Sequence, residues 1–162
     1  MDEQERGRTN LGHLLLAGFQ SVVDELFARL ASSGYTDLRS THSRVFERMR
    51  DEGVRVSELA EQSQMTHQSM SELIAYLEGR GYVERIPDPH DARAKLVCLT
   101  PKGHELSRAA AGHMEEIEAR WTQVLGARRM RELRAALEDV TKSQEVRSTN
   151  DEVRIKREPG RR

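Results

Sequence analysis

The stretch from Val56 to Gly103 decides the fold: VSELAEQSQMTHQSMSELIAYLEGRGYVERIPDPHDARAKLVCLTPKG. Its first half predicts two short helices joined by the tight break SQM. Ser57 and Thr66 are expected to cap them, because hydroxyl side chains accept hydrogen bonds from the free N–H groups of a first turn. Gly81 is expected to close the second helix in the left-handed conformation that glycine tolerates. The inner face of the second helix is marked by Met70, Leu73, Ile74 and Leu77. Two short helices joined in this way form a helix-turn-helix.

The second half of the stretch predicts a two-stranded hairpin. The segments YVERI and KLVCLT alternate between apolar and polar residues, which is typical of half-buried strands. The segment PDPHDARA lies between them and is expected to form a long tip. We interpret the hairpin as a wing beside the helix-turn-helix.

Long amphipathic helices are predicted on both sides of this stretch. Apolar residues at helical spacing indicate a helix over residues 10–33, with Asn10 as its cap and Gly34 as its stop. A shorter helix should follow it and end at Gly53. The apolar face of that shorter helix is formed by Val45, Phe46 and Met49. On the other side, Thr100 should cap a long helix whose first residue is Pro101.

The predicted fold class is mainly α with a small β-wing. A winged helix-turn-helix over residues 38–100 lies between two sets of dimerisation helices, at 10–33 and 101–142. The last of these helices has one apolar face, formed by Met130, Leu133, Leu137 and Val140. The charged segment 143–162 is expected to be disordered, because it carries few apolar groups that could stabilise a fold.

Composition limits the classes of function. Of the 162 residues 33% are charged and only 4% are aromatic, so the core of a single chain is thin and apolar helix faces should need a partner chain. A formal net charge of −1 excludes a basic surface over the whole protein, so any nucleic-acid contact must be local. Cys98 is the one cysteine and cannot form an internal disulfide, which favours a reducing cytoplasm. The sequence suggests neither a signal peptide nor a membrane span.

The motifs and their order resemble the MarR family of bacterial winged-helix regulators. The matching motifs are ELA at Glu58–Ala60, LEGRGYVER at Leu77–Arg85, DPHDAR at Asp88–Arg93 and LTPKG at Leu99–Gly103. The resemblance is strong over residues 38–103 and only architectural outside them. It implies a cytoplasmic homodimer that binds double-stranded DNA at a palindromic operator and acts as a repressor.

The second helix of the helix-turn-helix is expected to enter the major groove of DNA. The N-terminal part of such a recognition helix faces the base edges, where a glutamine can pair with adenine through two hydrogen bonds. Gln68 and Ser69 are therefore expected to read bases. The full set of predicted contacts on this helix is Thr66, His67, Gln68, Ser69, Ser71 and Glu72.

The wing is expected to reach the minor groove. In the family that the chain resembles, an arginine matching Arg93 enters this groove, and an aspartate matching Asp91 braces it. A narrow A·T-rich minor groove is strongly negative and attracts arginine, so the implied role agrees with the physics. Weaker candidates are His90 and Lys95, and Arg85 is expected to touch a phosphate at the foot of the wing.

The resemblance also implies a cleft for a small aromatic effector between the dimer helices and the DNA-binding lobe. Four residues are candidates for its lining: His13, Tyr35, His42 and Arg44. The chain carries no diagnostic ligand motif, so the existence of an effector stays open at this point.

Three other classes of function are alternatives to a DNA-binding regulator. No common catalytic motif and no metal-ligand spacing occurs, so neither an enzyme nor a metal or cofactor site is expected. A cysteine-based redox sensor would depend on Cys98, which has no second cysteine to resolve it. A protein–protein adaptor stays open because of the near-neutral charge and of Glu72 and Glu78 on the expected recognition helix, whereas Arg93 with Asp91 argues against it.

Overall fold

The computed structural model describes the backbone of residues 10–157 and the side chains of residues 10–142 apart from Ala92. The helices in chain order are α1 (Leu11–Ser32), a 3-10 turn (Ser40–His42), α2 (Ser43–Phe46), α3 (Val56–Gln62), α4 (His67–Gly79), α5 (Pro101–Leu125) and α6 (Ala127–Arg157). The strands are β1 (Val54–Arg55), β2 (Val83–Asp88) and β3 (Asp91–Leu99). A mainly α fold with a small β-wing is therefore confirmed. No helix within residues 10–157 is both long enough and apolar enough to cross a membrane.

The chain divides into two compact units. The first runs to Ile117 and holds α1 to α4, the sheet and most of α5. The second begins at Glu118 and holds the end of α5 together with α6. Within it, the Arg134 guanidinium forms an ion pair with Glu118.

The core of the first unit lies between the helix-turn-helix and the sheet. Its fully buried side chains include Val45, Val54, Leu59, Met70, Ile74, Leu77, Tyr82, Val83 and Val97. Three residues of the predicted inner face of α4 are buried, and Leu73 is half-buried. Because a helix can bury only one stripe, the opposite face of α4 stays exposed.

Several caps lie where the sequence places them. The Asn10 side chain accepts a hydrogen bond from the Gly12 N–H at 2.7 Å, and Gly34 takes a φ of +96° just beyond α1. Thr100 accepts from the Gly103 N–H at 3.1 Å and so caps α5. Gly81 takes a φ of +75° after α4.

Two helix boundaries near the middle of the chain differ from the prediction. Ser57 does not cap α3, because β1 runs directly into this helix and the cap position falls on Arg55, whose side chain makes no capping bond. The shorter helix ends at Phe46, well before Gly53. Gly53 has a φ of +87° and lies in the turn that leads into β1.

The wing is a three-stranded antiparallel sheet in the order β1-β3-β2, one strand more than predicted. Val54 pairs with Val97 in the first ladder, and Asp88 pairs with Asp91 at the end of the second. Strand pairing therefore continues into the segment predicted as a long tip, and only Pro89 and His90 connect the two strands. A two-residue strand such as β1 is too short to show alternation in the sequence.

Helix α6 extends beyond the boundary that the sequence suggests. The prediction is disorder from Ser143, but the backbone is helical to Arg157. Neither glycine nor proline interrupts the segment before Pro159, and its many Glu, Arg and Lys residues are compatible with a helix. Residues 158–162 lie outside the described residues.

Candidate nucleic-acid interface

The start of helix α4 presents a row of exposed polar side chains. Thr66 occupies the cap position, where its Oγ1 accepts from the Ser69 N–H at 3.1 Å and donates to the Ser69 Oγ at 2.9 Å. His67 and Gln68 are exposed beside them. The N–H groups of this first turn make it the positive end of the helix dipole, a favourable place for a phosphate.

The longer polar side chains of α4 hold each other only weakly. The Gln68 amide Nε2 donates to the Glu72 carboxylate at 3.2 Å. Ser71 Oγ lies 3.4 Å from His67 Nδ1. Both contacts are long and exposed, so a base edge can replace them at small cost.

The far end of α4 is held by the segment that follows α1. The Tyr76 hydroxyl donates to the Asp37 carbonyl at 2.6 Å, and the buried Tyr82 hydroxyl donates to the Asp37 carboxylate at 2.8 Å. Burial raises the pKa of Tyr82, and the hydrogen bond to Asp37 raises it further. These bonds fix the C-terminal end of the recognition helix and leave its N-terminal end presented to solvent.

At the wing, Asp91 serves the backbone of the tip. Its Oδ1 accepts from the Arg93 N–H at 3.1 Å, and its Oδ2 lies 3.6 Å from Arg55 Nη2. Within the described part of the chain, the Arg93 guanidinium makes no hydrogen bond or ion pair. The expected brace therefore acts on the main chain of Arg93 and leaves its exposed side chain open to a ligand.

An open groove of about 400 Å³ joins the recognition helix to the wing. The residues that line it are Arg55, Val56, Ser57, His67, Ser71, Arg85, Ala94 and Lys95. Arg85 forms an ion pair with Glu78 at 2.8 Å, whereas Lys95 is exposed and carries its charge freely among the described residues. The exposed His90 lies at the tip. Carboxylates pair with Arg55 and Arg85, so among the described residues that line the groove Lys95 is the cation that can offer its charge to a ligand.

The four candidate cleft residues do not share one site. His42 and Arg44 both line an open cavity of about 390 Å³ beside α4, and Arg44 also lines one of about 640 Å³ against α1. The His42 ring is buried and stacks on Tyr76, with the ring centroids 4.7 Å apart. Tyr35 instead packs beside Tyr82, and His13 is an exposed residue in the first turn of α1.

His42 is held in its neutral form. Burial lowers the pKa of His42, and the Arg39 cation lowers it further. Its Nδ1 accepts from the Arg39 N–H at 3.0 Å, which places any ring proton on Nε2. The neutral ring offers a flat apolar face to the recognition helix.

Cys98 lies in a setting that disfavours a reactive thiolate. It is half-buried in β3, and burial raises the pKa of its thiol, with the Glu84 carboxylate adding to the shift. Reactive cysteines need the opposite environment, which lowers the thiol pKa. The redox alternative gains no support from this geometry.

Known proteins match the segment that carries these features. Residues 36–94, from the start of the winged helix through the wing tip, match the family model described as MarR family. Over these residues the chain is similar to the MarR family. Transcription regulators, not enzymes, make up this family.

One curated relative is the transcriptional activatory protein BadR of Rhodopseudomonas palustris. It is 32% identical over 74 residues, which are 46% of this chain. The matched part spans 41% of the length of that relative.

Solved MarR-family structures cover more of the chain. The apo form of MarR from E. coli superposes with a TM-score of 0.68 at 23% identity, over 82% of this chain and 98% of that one, which shows a shared fold. A Mycobacterium tuberculosis MarR family protein in complex with salicylic acid is 27% identical, with a TM-score of 0.61 over 83% of this chain and 98% of that one. CouR from Rhodococcus jostii, bound to p-coumaroyl-CoA, is 25% identical, with a TM-score of 0.64 over 81% and 91%.

Sequence reasoning missed two groups that shape this surface. One is Arg55, whose guanidinium meets Asp88 across 33 positions of sequence. The other is Asp37, which holds Tyr76 and Tyr82. No motif or periodicity marks either group, because each depends on a contact between distant segments.

Proposed function

We propose that this chain is a homodimeric, sequence-specific DNA-binding regulator of transcription that represses from a palindromic operator. The observation that carries the proposal is the groove of about 400 Å³ that joins the recognition helix to the wing. One concave face thereby combines polar base-reading groups with basic groups. A regulator of this kind acts in the cytoplasm.

Each part of that face has its own task in the proposal. The start of α4 enters the major groove, where Gln68 exchanges its weak bond to Glu72 for the two edge atoms of an adenine. Ser69 and the free N–H groups of the first turn suit phosphates and base edges. Arg93 enters the adjacent minor groove, where its free guanidinium meets the negative potential of an A·T-rich sequence.

A second copy of the chain is the partner that the proposal requires. Large apolar side chains of α1 are exposed in a single chain, namely Leu11, Leu14, Leu15, Leu16 and Phe19. Leaving so many apolar groups in water is unfavourable, and a two-fold interface would bury them. Two recognition helices related by this axis would read half-sites about one helical turn apart.

A small aromatic acid is the proposed effector. The relatives solved with salicylic acid and with p-coumaroyl-CoA support this class of ligand. The cavity beside α4 is lined by the stacked rings of His42 and Tyr76 and by the cation Arg44, which suit an aromatic carboxylate. A ligand that prefers the conformation unable to bind DNA would release the operator by population shift.

Activation is a second candidate for the sign of regulation. It is favoured by the description of the Rhodopseudomonas relative as a transcriptional activatory protein. A reporter gene transcribed from a promoter that contains the recovered operator distinguishes activation from repression. Lower expression in the presence of the chain supports repression, and higher expression supports activation.

The central experiment selects DNA fragments from the source genome with the purified full chain, at two salt concentrations, and sequences them. We expect a palindrome whose recovery falls as salt rises, because basic groups release counterions when they neutralise phosphates. The Arg93→Ala variant should bind all recovered sites more weakly while remaining a folded dimer.

If no fragment is enriched at low salt, the DNA-binding proposal fails. The protein–protein adaptor then becomes the better reading, and the groove becomes the surface on which to map a protein partner.

A further inference from the structure

Arg55 connects the body of the winged helix to the wing. It is the last residue of β1, and its Nε and Nη2 donate to the Asp88 Oδ2 at 2.8 and 2.5 Å. The same Nη2 lies 3.6 Å from the Asp91 Oδ2. The Asp88 side chain is only 5% exposed, whereas that of Arg55 is 43% exposed.

The two carboxylates that Arg55 bridges each accept a hydrogen bond from a backbone amide, one at the wing tip and one at the start of β3. Asp88 uses its other oxygen to accept from the His90 N–H at 2.8 Å. Asp91 accepts from the Arg93 N–H at 3.1 Å. The strand ladder is irregular between Pro87 and Asp88, so ladder bonds alone do not define the tip. The Arg55 guanidinium therefore orients Asp88 and Asp91, and these two side chains in turn orient the backbone of the tip.

We propose that Arg55 is a positioning residue that holds the wing tip so that Arg93 can enter the minor groove. This inference rests on the proposed function. Arg93 has no side-chain partner of its own among the described residues. Its affinity for DNA therefore depends on how well its backbone is ordered before binding, because ordering a flexible loop costs conformational entropy.

Charge balance favours positioning over direct contact with phosphate. The single positive charge of Arg55 is shared by two carboxylates, Asp88 and Asp91, so this corner of the groove carries no excess positive charge. A phosphate bound to Arg55 would leave the buried Asp88 carboxylate without its cationic partner, which is unfavourable. Lys95, on the same groove, bears no such bonds among the described residues.

A double-mutant cycle between Arg55→Gln and Arg93→Ala tests the proposal. In the wild-type background, Arg55→Gln should weaken operator binding roughly tenfold. A coupling of this size is ordinary for residues that belong to one hydrogen-bond network. In the Arg93→Ala background Arg55→Gln should have almost no effect, since the group that Arg55 positions is gone. Arg50→Gln is the matched control, because Arg50 is 45% exposed and forms a comparable ion pair at 2.6 Å with Glu58 instead of with Asp88 or Asp91.

Equal losses in both backgrounds would overturn the proposal and identify Arg55 as a direct phosphate contact. A direct contact would also lower the slope of log affinity against log salt by about one. If Arg55 only positions the tip, the slope of log affinity against log salt should be the same for Arg93→Ala and for the double variant.

A second measurement needs no DNA. Amide hydrogen exchange at His90 and Arg93 should be faster in Arg55→Gln than in wild type, with exchange in α4 unchanged. Unchanged exchange at the tip would refute the ordering role. If the wild-type chain binds no operator, the proposed function fails, and the exchange result still shows whether Arg55 orders the wing.

Discussion

Asp88 is the residue that connects the backbone of the wing tip to Arg55. Its two oxygens accept from the His90 N–H and from Arg55, and the side chain is almost fully buried. The His90 backbone hydrogen bond lowers the pKa of Asp88 most, and the Arg55 hydrogen bond lowers it further. The ionised form is therefore the one that the fold stabilises.

The pH dependence of stability follows from the direction of that shift. A carboxyl whose pKa is lowered on folding stabilises the protein above its unfolded pKa, and this stabilisation is lost as pH falls through the folded pKa. We expect wild type to have a higher thermal unfolding midpoint than Asp88→Asn at pH 7, with the difference closing in acid. Thermal melts from pH 7 to pH 3 measure it, and Asp51→Asn, at an exposed site, is the control. A difference that stays constant with pH would contradict the assignment.

Gln68 carries the base-reading prediction. Gln68→Ala should relax the preference at one base pair of each half-site by about 1–3 kcal/mol, the discrimination of one bidentate contact. Sequencing of selected operator libraries measures the preference at every position. Gln62→Ala is the control, because Gln62 also bonds a glutamate, Glu58, but lies on α3. An unaltered preference profile would assign Gln68 to positioning.

At the scale of the element, helix α5 depends on a close approach at its first turn. A Cβ on Gly103 would lie 2.1 Å from the Tyr82 carbonyl oxygen. Because this oxygen belongs to the backbone, the main chain would have to move to make room for the Cβ. The Tyr82 carbonyl also accepts from the Thr100 N–H at 3.1 Å. The absence of a side chain at Gly103 thus lets α5 begin directly against the start of β2.

Substitution by alanine at two glycines of α5 should therefore change the free energy of unfolding in opposite directions. Gly103→Ala should lower the free energy of unfolding by about 1–3 kcal/mol through overpacking. Gly112→Ala should raise it by about 0.5–1 kcal/mol, because a Cβ there meets nothing within 4 Å and alanine favours a helix. Urea denaturation of both variants measures the difference. A Gly103→Ala variant as stable as wild type would contradict the close contact.

At the scale of the whole molecule, the exposed apolar face of α1 is the feature that a single chain leaves unexplained. Phe19 is 64% exposed and Leu14 is 55% exposed. At the other end of the same helix Leu30 is buried in the core of the first unit. A helix that buries its C-terminal half and exposes leucines in its N-terminal half is suited to a partner chain.

The homodimer proposal predicts the effect of charge on that face. The double variant Leu14→Asp, Leu15→Asp should be monomeric in light scattering, because two buried carboxylates per subunit would oppose the apolar interface. It should also lose most of its affinity for a palindrome, since the two half-sites are then bound independently. Ser32→Asp, at the far end of α1, is the control. A variant that remains dimeric would place the interface elsewhere.

The sequence by itself determined the elements whose causes are local. Apolar residues at helical spacing predicted α1 and α4, and Thr100 with Pro101 predicted the start of α5. The caps at Asn10, Thr66 and Thr100 formed because each needs only a side chain and the next turn of backbone. Family motifs pointed to the recognition helix and the wing. The exposure of the α4 start followed from the same pattern, since its inner face had to be buried.

Only the tertiary structure decided the rest, because the deciding contacts join segments far apart in the chain. Strand β1 exists through its pairing with β3, and a two-residue strand has no periodicity of its own. The brace of the wing depends on Arg55 meeting Asp88 across 33 positions. Hydrogen bonds and ion pairs of this kind depend on where the backbone brings two side chains, and sequence patterns record only which residues are neighbours within one element.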